Sequence, residues 1–286
     1  MDALISTQAL ADRLQRGDDP RPLRIFDATV HLRPAQPGPY VVESGRADYE
    51  ASHIPSAAFV DLGQDLSDTR SALRFTLPPP AQLEAALSAA GLSNGDDCVV
   101  YSSSSPMWAT RLWWMLRSMG FGAAVLDGGL PKWRAEGRAL ASGSERYPPG
   151  RFVAQPDAAP GRQGQGAARH RKRCGLHDQR AHRRGTCRHL RHPLRPQGAH
   201  QGQRQRALSV AARCRRLLQA GAGAAPGVRA VGALRKPRVI CYCGGGISAT
   251  MDAMALLLIG HPDVAVYDGS MSEWVRDPQL PMETGG

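Results

Sequence analysis

At 286 residues the chain is long for one compact core and suits two domains of about 100–150 residues each. Its 42% hydrophobic and 21% charged residues exclude a disordered chain. The net charge of +11 is local, because residues 161–216 hold 16 Lys or Arg against the single acid Asp178, a net of +15, which leaves the remainder at −4.

The first ten residues, MDALISTQAL, carry an acid and no basic stretch, so no secretory signal is expected. The stretch LRIFDA at 23–28 is apolar and β-prone and reads as a central strand. GRADYEASHIPSAAFVDL reads as a short helix, a structural turn around His53, and a second strand near 57–60. PPPAQLEAALSAAGL has apolar residues at helical spacing, prolines at its start and Gly91 near its end. Strands alternating with helices imply an α/β fold, a parallel sheet covered by helices. The longest apolar run, AMALLLIG at 253–260, is far too short to cross a membrane, so no membrane partner is expected.

A repeat appears at an offset of 140–141 residues. VVYSSSSPMWAT at 99–110 lies over VICYCGGGISAT at 239–250, each a strand, a loop and an Ala-Thr pair. AVLDGGLPKW at 124–133 lies over AVYDGSMSEW at 265–274, each a short buried strand ending at Asp-Gly, then a tryptophan. Two tandem copies of one domain follow: residues 1–140, a linker at 141–160, and residues 161–286. The second copy should repeat the first one's front half, but residues 161–206 contain neither a β-prone run nor an amphipathic helix. The length is kept while the pattern is lost, which is what compensating frameshifts in GC-rich coding sequence would leave between about 160 and 235. Strand-like text resembling residues 23–60 is then expected in another reading frame. A domain missing those elements would expose its remaining sheet and dissolve poorly.

By the repeat, Cys243 aligns with Ser103. Glycines 244, 245 and 246 let the backbone fold around the sulfur, through φ > 0 where needed. Successive N–H groups then form a concave nest, and a helix starting near Ser248 or Ala249 adds its N-terminal partial charge. Such surroundings favour a thiolate, a persulfide anion or a substrate oxyanion. The Ser248 hydroxyl stands where it could cap that helix or donate to a substrate.

These motifs resemble those of the two-domain rhodanese-family sulfurtransferases: CGGGISAT as the active loop, LDGGLPKW and YDGSMSEW as paired elements, and GRADYEASHIPSAAFVDL with ATRLWW in the first domain. The resemblance covers 1–140 and 237–284. It implies tandem rhodanese-like domains, the first an inactive copy, and a sulfane sulfur carried on Cys243 as a persulfide. The donor would be thiosulfate or 3-mercaptopyruvate and the acceptor cyanide or a thiol. Gly244, Gly245, Gly246 and Ile247 would form the substrate cradle. Ser248 would assist the substrate, and Asp61, after HIPSAAFV, would join the set that handles the proton. The small neutral loop favours mercaptopyruvate. The arginines that bind a substrate carboxylate in the family would fall in the basic segment and cannot be matched. Neither cofactor nor metal is implied.

The plainer readings compete residue by residue. Cys243 could be a buried strand-end cysteine, and Cys241 is better explained as strand packing. Asp127 and Asp268 read as turn residues, and Asp61 equally suits a local turn. Arg111, Trp113 and Trp114 read as a helix packing on the sheet or between domains. The basic segment has no aromatic residue between Phe152 and Tyr242 on which bases could stack, so nucleic acid is not the expected partner. Cys174, His177, Cys187 and His189 match no zinc spacing. A phosphatase loop needs Cys, five residues, then Arg; here that position is Ala249. Six cysteines without framework spacing point to reduced thiols in the cytoplasm.

Overall fold

A computed structural model describes residues 2–17, 20–35, 40–156 and 237–280. The basic segment and the second copy's front half lie outside them.

The first copy is built on a five-stranded parallel sheet. Its strands are β1 (Leu4–Ile5), β2 (Leu23–Asp27), β5 (Ala57–Phe59), β6 (Asp97–Tyr101) and β7 (Ala124–Leu126), in the order β1-β7-β6-β2-β5. Alternation along β2 and β6 sends Ile25, Val99 and Tyr101 to one face and Phe26, Cys98 and Val100 to the other. Both faces are therefore buried, as a parallel sheet requires. Helices α3 (Pro80–Ala89) and α4 (Pro106–Ser118) contribute Leu83, Leu87, Trp108 and Leu112 to one face. On the other lie α1 (Thr7–Arg16), α2 (Arg46–Ala51) and α5 (Gly129–Ala135), with Leu10, Tyr49, Leu130 and Trp133. The expected strands at 23–28 and near 57–60 and the helix in PPPAQLEAALSAAGL are all present.

Three parts of the first copy were not read from the sequence. One is the short edge strand β1. Another is α1, capped by the Ser6 hydroxyl at its start and by left-handed Gly17 at its end. The third is an antiparallel hairpin of β3 (Val30–Arg33) and β4 (Val41–Ser44). His53 is structural: it is buried, stacked on Tyr49 at 4.2 Å, with Nδ1 2.7 Å from the Tyr49 carbonyl oxygen.

Residues 141–155 run back over the first copy rather than standing clear of it. The Tyr147 hydroxyl accepts from Ile25 N–H at 3.0 Å and donates to the Ser56 carbonyl, and Gln155 N–H donates to the Met119 carbonyl at 2.8 Å.

The second copy shows β8 (Val239–Cys241), α6 (Ala249–Leu258), β9 (Val264–Val266) and α7 (Ser270–Trp274). Strands β8 and β9 pair in parallel, so β8-α6-β9 repeats β6-α4-β7, as the 140-residue offset implies. Helix α6 packs on α4. Ile247, Met251 and Met254 enter the first copy's core, and Trp114 packs against the clusters of both copies. Where the helices meet, Thr110 and Thr250 face each other, hydroxyl to hydroxyl, at 2.8 Å. These are the same position in the two copies. The two copies therefore meet through equivalent positions of the repeat.

One buried acid gives a stability prediction. Asp27, at the end of β2, is 1% exposed. Its Oδ1 accepts from the Thr29 N–H at 2.9 Å and from the Thr29 hydroxyl. Burial, only partly offset by Thr29, raises its pKa from 3.8 to about 6. A carboxyl raised in the folded state penalises folding once it ionises, so stability falls as pH rises from about 4 to about 6 and stays low above that. Asp27→Asn should remove about 2 kcal/mol of this loss between pH 4 and pH 7. Denaturant unfolding at the two pH values checks it; an unchanged difference would contradict it.

Candidate active site

The loop between β8 and α6 holds Cys243 half-buried at the carboxyl end of a parallel strand. The start of α7 tethers its first residues. Cys243 N–H donates to the Ser270 hydroxyl at 3.2 Å, and that hydroxyl donates to the Tyr267 carbonyl at 2.7 Å. The Cys243 carbonyl accepts from Met271 N–H at 3.1 Å. The Gly244 carbonyl accepts from Ser272 N–H at 2.8 Å and from the Ser272 hydroxyl at 2.7 Å. At the far end of the loop the Gly246 carbonyl accepts from Arg111 Nη1 at 3.3 Å.

Tying these carbonyls down has a consequence. In a trans peptide the N–H points opposite to the C=O, so the amides of Gly244, Gly245 and Ile247 face away from α7 and Arg111. Among the described residues none of the three donates a hydrogen bond. Gly246 N–H donates to Cys243 Sγ at 3.1 Å. Among the described residues the sulfur thus has one amide on it and three amides of the same loop have no acceptor, beside the N-terminus of a ten-residue helix. Such a loop stabilises negative charge on sulfur or on a bound oxyanion.

The matching loop of the first copy is closed instead. Ser103 N–H donates to the Thr29 hydroxyl at 2.8 Å, Ser104 N–H to the Ser102 hydroxyl at 3.2 Å, and the Ser104 hydroxyl to the Val30 carbonyl at 2.9 Å. Of the amides that match the open ones, that of Ser104, opposite Gly244, is taken by a serine hydroxyl.

The three glycines do different things. Gly246 has φ +78°, and a Cβ there would collide with the Asp268 carbonyl oxygen. Gly244 and Gly245 do not use positive φ. A Cβ would meet nothing within 4 Å at Gly244, and only Ser272 Oγ at 3.9 Å at Gly245. The expectation that all three serve a tight fold holds for Gly246; the first two keep space open beside the sulfur.

Ser248 occupies the N-cap position of α6, but its side chain makes no cap bond, and its hydroxyl has no partner among the described residues. Ile247 buries its side chain in the core, so its backbone is what it presents to the loop. Asp61 is not joined to this loop by any hydrogen bond among the described residues. Its Oδ2 accepts from the Ser44 hydroxyl at 2.7 Å, and its Oδ1 from Gly63 and Gln64 N–H at 2.9 and 3.0 Å. Cys241 packs in β8, 1% exposed.

Arg111, Ser272, Ser270 and Asp268, which hold or border this loop, went unread as site residues. Ser270 adopts φ +48°, uncommon for a residue with a side chain, while its counterpart in the repeat, Gly129, has φ +56°. The signal was a serine standing where the other copy needs glycine. Asp268, read as a turn residue, reaches across the copies to Arg111 at 2.6 Å and to Leu77 N–H at 2.8 Å.

The family model described as "Rhodanese-like domain" matches residues 7–136 and 219–277. The chain is 33% identical over 293 residues to the probable 3-mercaptopyruvate sulfurtransferase of Pseudomonas aeruginosa, covering 99% of this chain and 98% of that protein. It is 32% identical over 294 residues to the thiosulfate sulfurtransferase of Cricetulus griseus, covering 99% and 94%. In fold it superposes on the crystal structure of SseA, a 3-mercaptopyruvate sulfotransferase of Escherichia coli. The TM-score is 0.64 and the identity 24%, over 94% of this chain and 99% of that one. With two stretches matched, a tandem α/β repeat and the open cysteine loop in the second copy, the chain belongs to the rhodanese family.

Proposed function

We propose that the chain is a sulfurtransferase that carries a sulfane sulfur as a persulfide on Cys243, from 3-mercaptopyruvate or thiosulfate to cyanide or a thiol. Sulfur transfer is the activity named for relatives aligned along nearly the whole chain. The observation that carries the residue assignment is the loop in which one amide donates to Cys243 Sγ and three more have no acceptor among the described residues. The thiolate attacks the outer sulfur of the donor, forming an S–S bond. In mercaptopyruvate the C–S bond breaks, and the pyruvate enolate takes up a proton. In thiosulfate the S–S bond breaks and sulfite leaves. The acceptor then attacks the outer sulfur and restores the Cys243 thiolate.

The loop's donors set its part, and the family resemblance supplies that of Asp61. The amides of Gly244, Gly245, Gly246 and Ile247 hold the negative charge, and the Ser248 hydroxyl donates to the donor molecule. Asp61, oriented by Gly63 and Gln64, takes the proton-handling part of the set. Gly244 and Gly245 bring no cation beside the sulfur, which suits the singly charged mercaptopyruvate better than the thiosulfate dianion. No helix among the described residues is long and apolar enough to cross a membrane. The cysteine usage supports a cytoplasmic site of action.

Incubation of the full chain with each donor, followed by mass analysis of the Cys243 peptide, tests this. The expected result is one added sulfur atom, removed by cyanide, with the larger kcat/KM for mercaptopyruvate. No added sulfur from either donor would overturn the reading.

A further inference from the structure

We infer that Arg111 is a positioning residue for sulfur transfer: a guanidinium of the first copy that holds the Gly246 end of the Cys243 loop in the second. The inference rests on Cys243 being the sulfur carrier. Arg111 projects from α4 and is 2% exposed. Its Nη1 donates to Asp268 Oδ1 at 2.6 Å and to the Gly246 carbonyl at 3.3 Å, and its Nη2 donates to the Phe75 carbonyl at 2.7 Å. Asp268 in turn accepts from Leu77 N–H through Oδ2. Its own carbonyl lies where a Cβ on Gly246 would collide. One planar cation therefore joins the first copy's 75–77 strand of loop, the Asp268 turn and the nucleophile's loop. The residue it holds by the carbonyl, Gly246, is the one whose N–H donates to the sulfur.

The repeat indicates that this arginine is not needed to build the helix. The equivalent position in α6 is Met251, 5% exposed and packed in the same core. An apolar side chain thus serves the fold at that position, whereas a buried cation must be desolvated and matched. The side chain of Asp127, the counterpart of Asp268, has no such role: among the described residues it pairs with Lys132, five residues on, at 3.5 Å. Of these two aspartates among the described residues, the one that pairs with a buried arginine is the one beside the cysteine loop. Because Asp268 neutralises the guanidinium, Arg111 acts through the geometry of the amides rather than as a field on the sulfur.

The test uses the full chain with Arg111→Lys, and with Arg111→Met/Asp268→Asn, which removes the pair without leaving a lone buried carboxylate. Three readouts are taken: kcat and KM for cyanolysis, persulfide loading of Cys243 by mass, and the pH profile of Cys243 alkylation. Expected is a fall in kcat of roughly 10²-fold per loaded site, the scale of a misplaced amide donor, with KM changed less than about threefold. The alkylation profile should change with it. A partly unfolded population would instead give two alkylation phases, one with the wild-type profile. Should the double variant unfold, Arg111→Lys, which keeps charge and stem but not the fork, carries the same comparison. Wild-type kcat per loaded site and a wild-type profile in a folded variant overturn the positioning role alone. A wild-type chain that takes no sulfur on Cys243 overturns the carrier assignment and this inference with it.

Discussion

Cys243→Ser should bring both thiosulfate and mercaptopyruvate turnover down to the uncatalysed background, a loss on the order of 10⁴-fold or more. The substitution is nearly isosteric, and its partners are ones that a hydroxyl keeps: Gly246 N–H at the side chain, Ser270 at the backbone N–H and Met271 at the carbonyl. Stability should therefore change by less than about 1 kcal/mol. What is lost is chemistry. An alcohol is not ionised by a few amides, and no described side chain pairs with Sγ as a base. Nor can serine form the S–S bond that carries the sulfur atom. Cyanolysis rates and thermal unfolding measured on one preparation decide it. A folded serine variant that still turns over would show that the sulfur is carried elsewhere, with Cys241 the first place to look.

The parts of this molecule legible from residues alone were those where local pattern and tertiary role agree. Strand β6 is apolar on both faces because both faces are covered, and such runs announce themselves. The Asp-Gly elements that follow β7 and β9 were found because two copies print them twice. The hairpin β3–β4 was missed because it is short and mostly exposed, so nothing enforces an alternating pattern on it. The site divides the same way. Cys243 stood out against three glycines, yet adjacent glycines cannot say which of them turns through positive φ; the neighbouring Asp268 carbonyl settles that. Arg111 is invisible to local reading, since its partners lie 36, 135 and 157 residues away in sequence. The available signal was a single arginine between Thr110 and a run of tryptophans, facing a methionine in the other copy. Contrast between the copies thus reports function where either copy alone reports only fold.

The same contrast sets the sharpest expectation for the backbone. Gly246→Ala should lower activity by roughly 10²–10³-fold, the range for losing one amide donor. It should also cost about 2–4 kcal/mol of stability, from a side chain at positive φ together with overpacking. At φ +78° the new methyl meets the Asp268 carbonyl, and Asp268 cannot retreat without releasing Arg111 and Leu77 N–H. The strain must move the loop, breaking the Gly246 N–H bond to the sulfur. Gly244→Ala is the control: with negative φ and open space for a methyl, it should fold as well as the parent or slightly better, by up to about 1 kcal/mol through the unfolded chain. Its effect should be confined to the donor, seen in KM, because that space is where the donor approaches. Equal losses of kcat in the two variants would mean that the loop acts as a flexible hinge. The fixed ring of amides around Cys243 would then have no part in the chemistry.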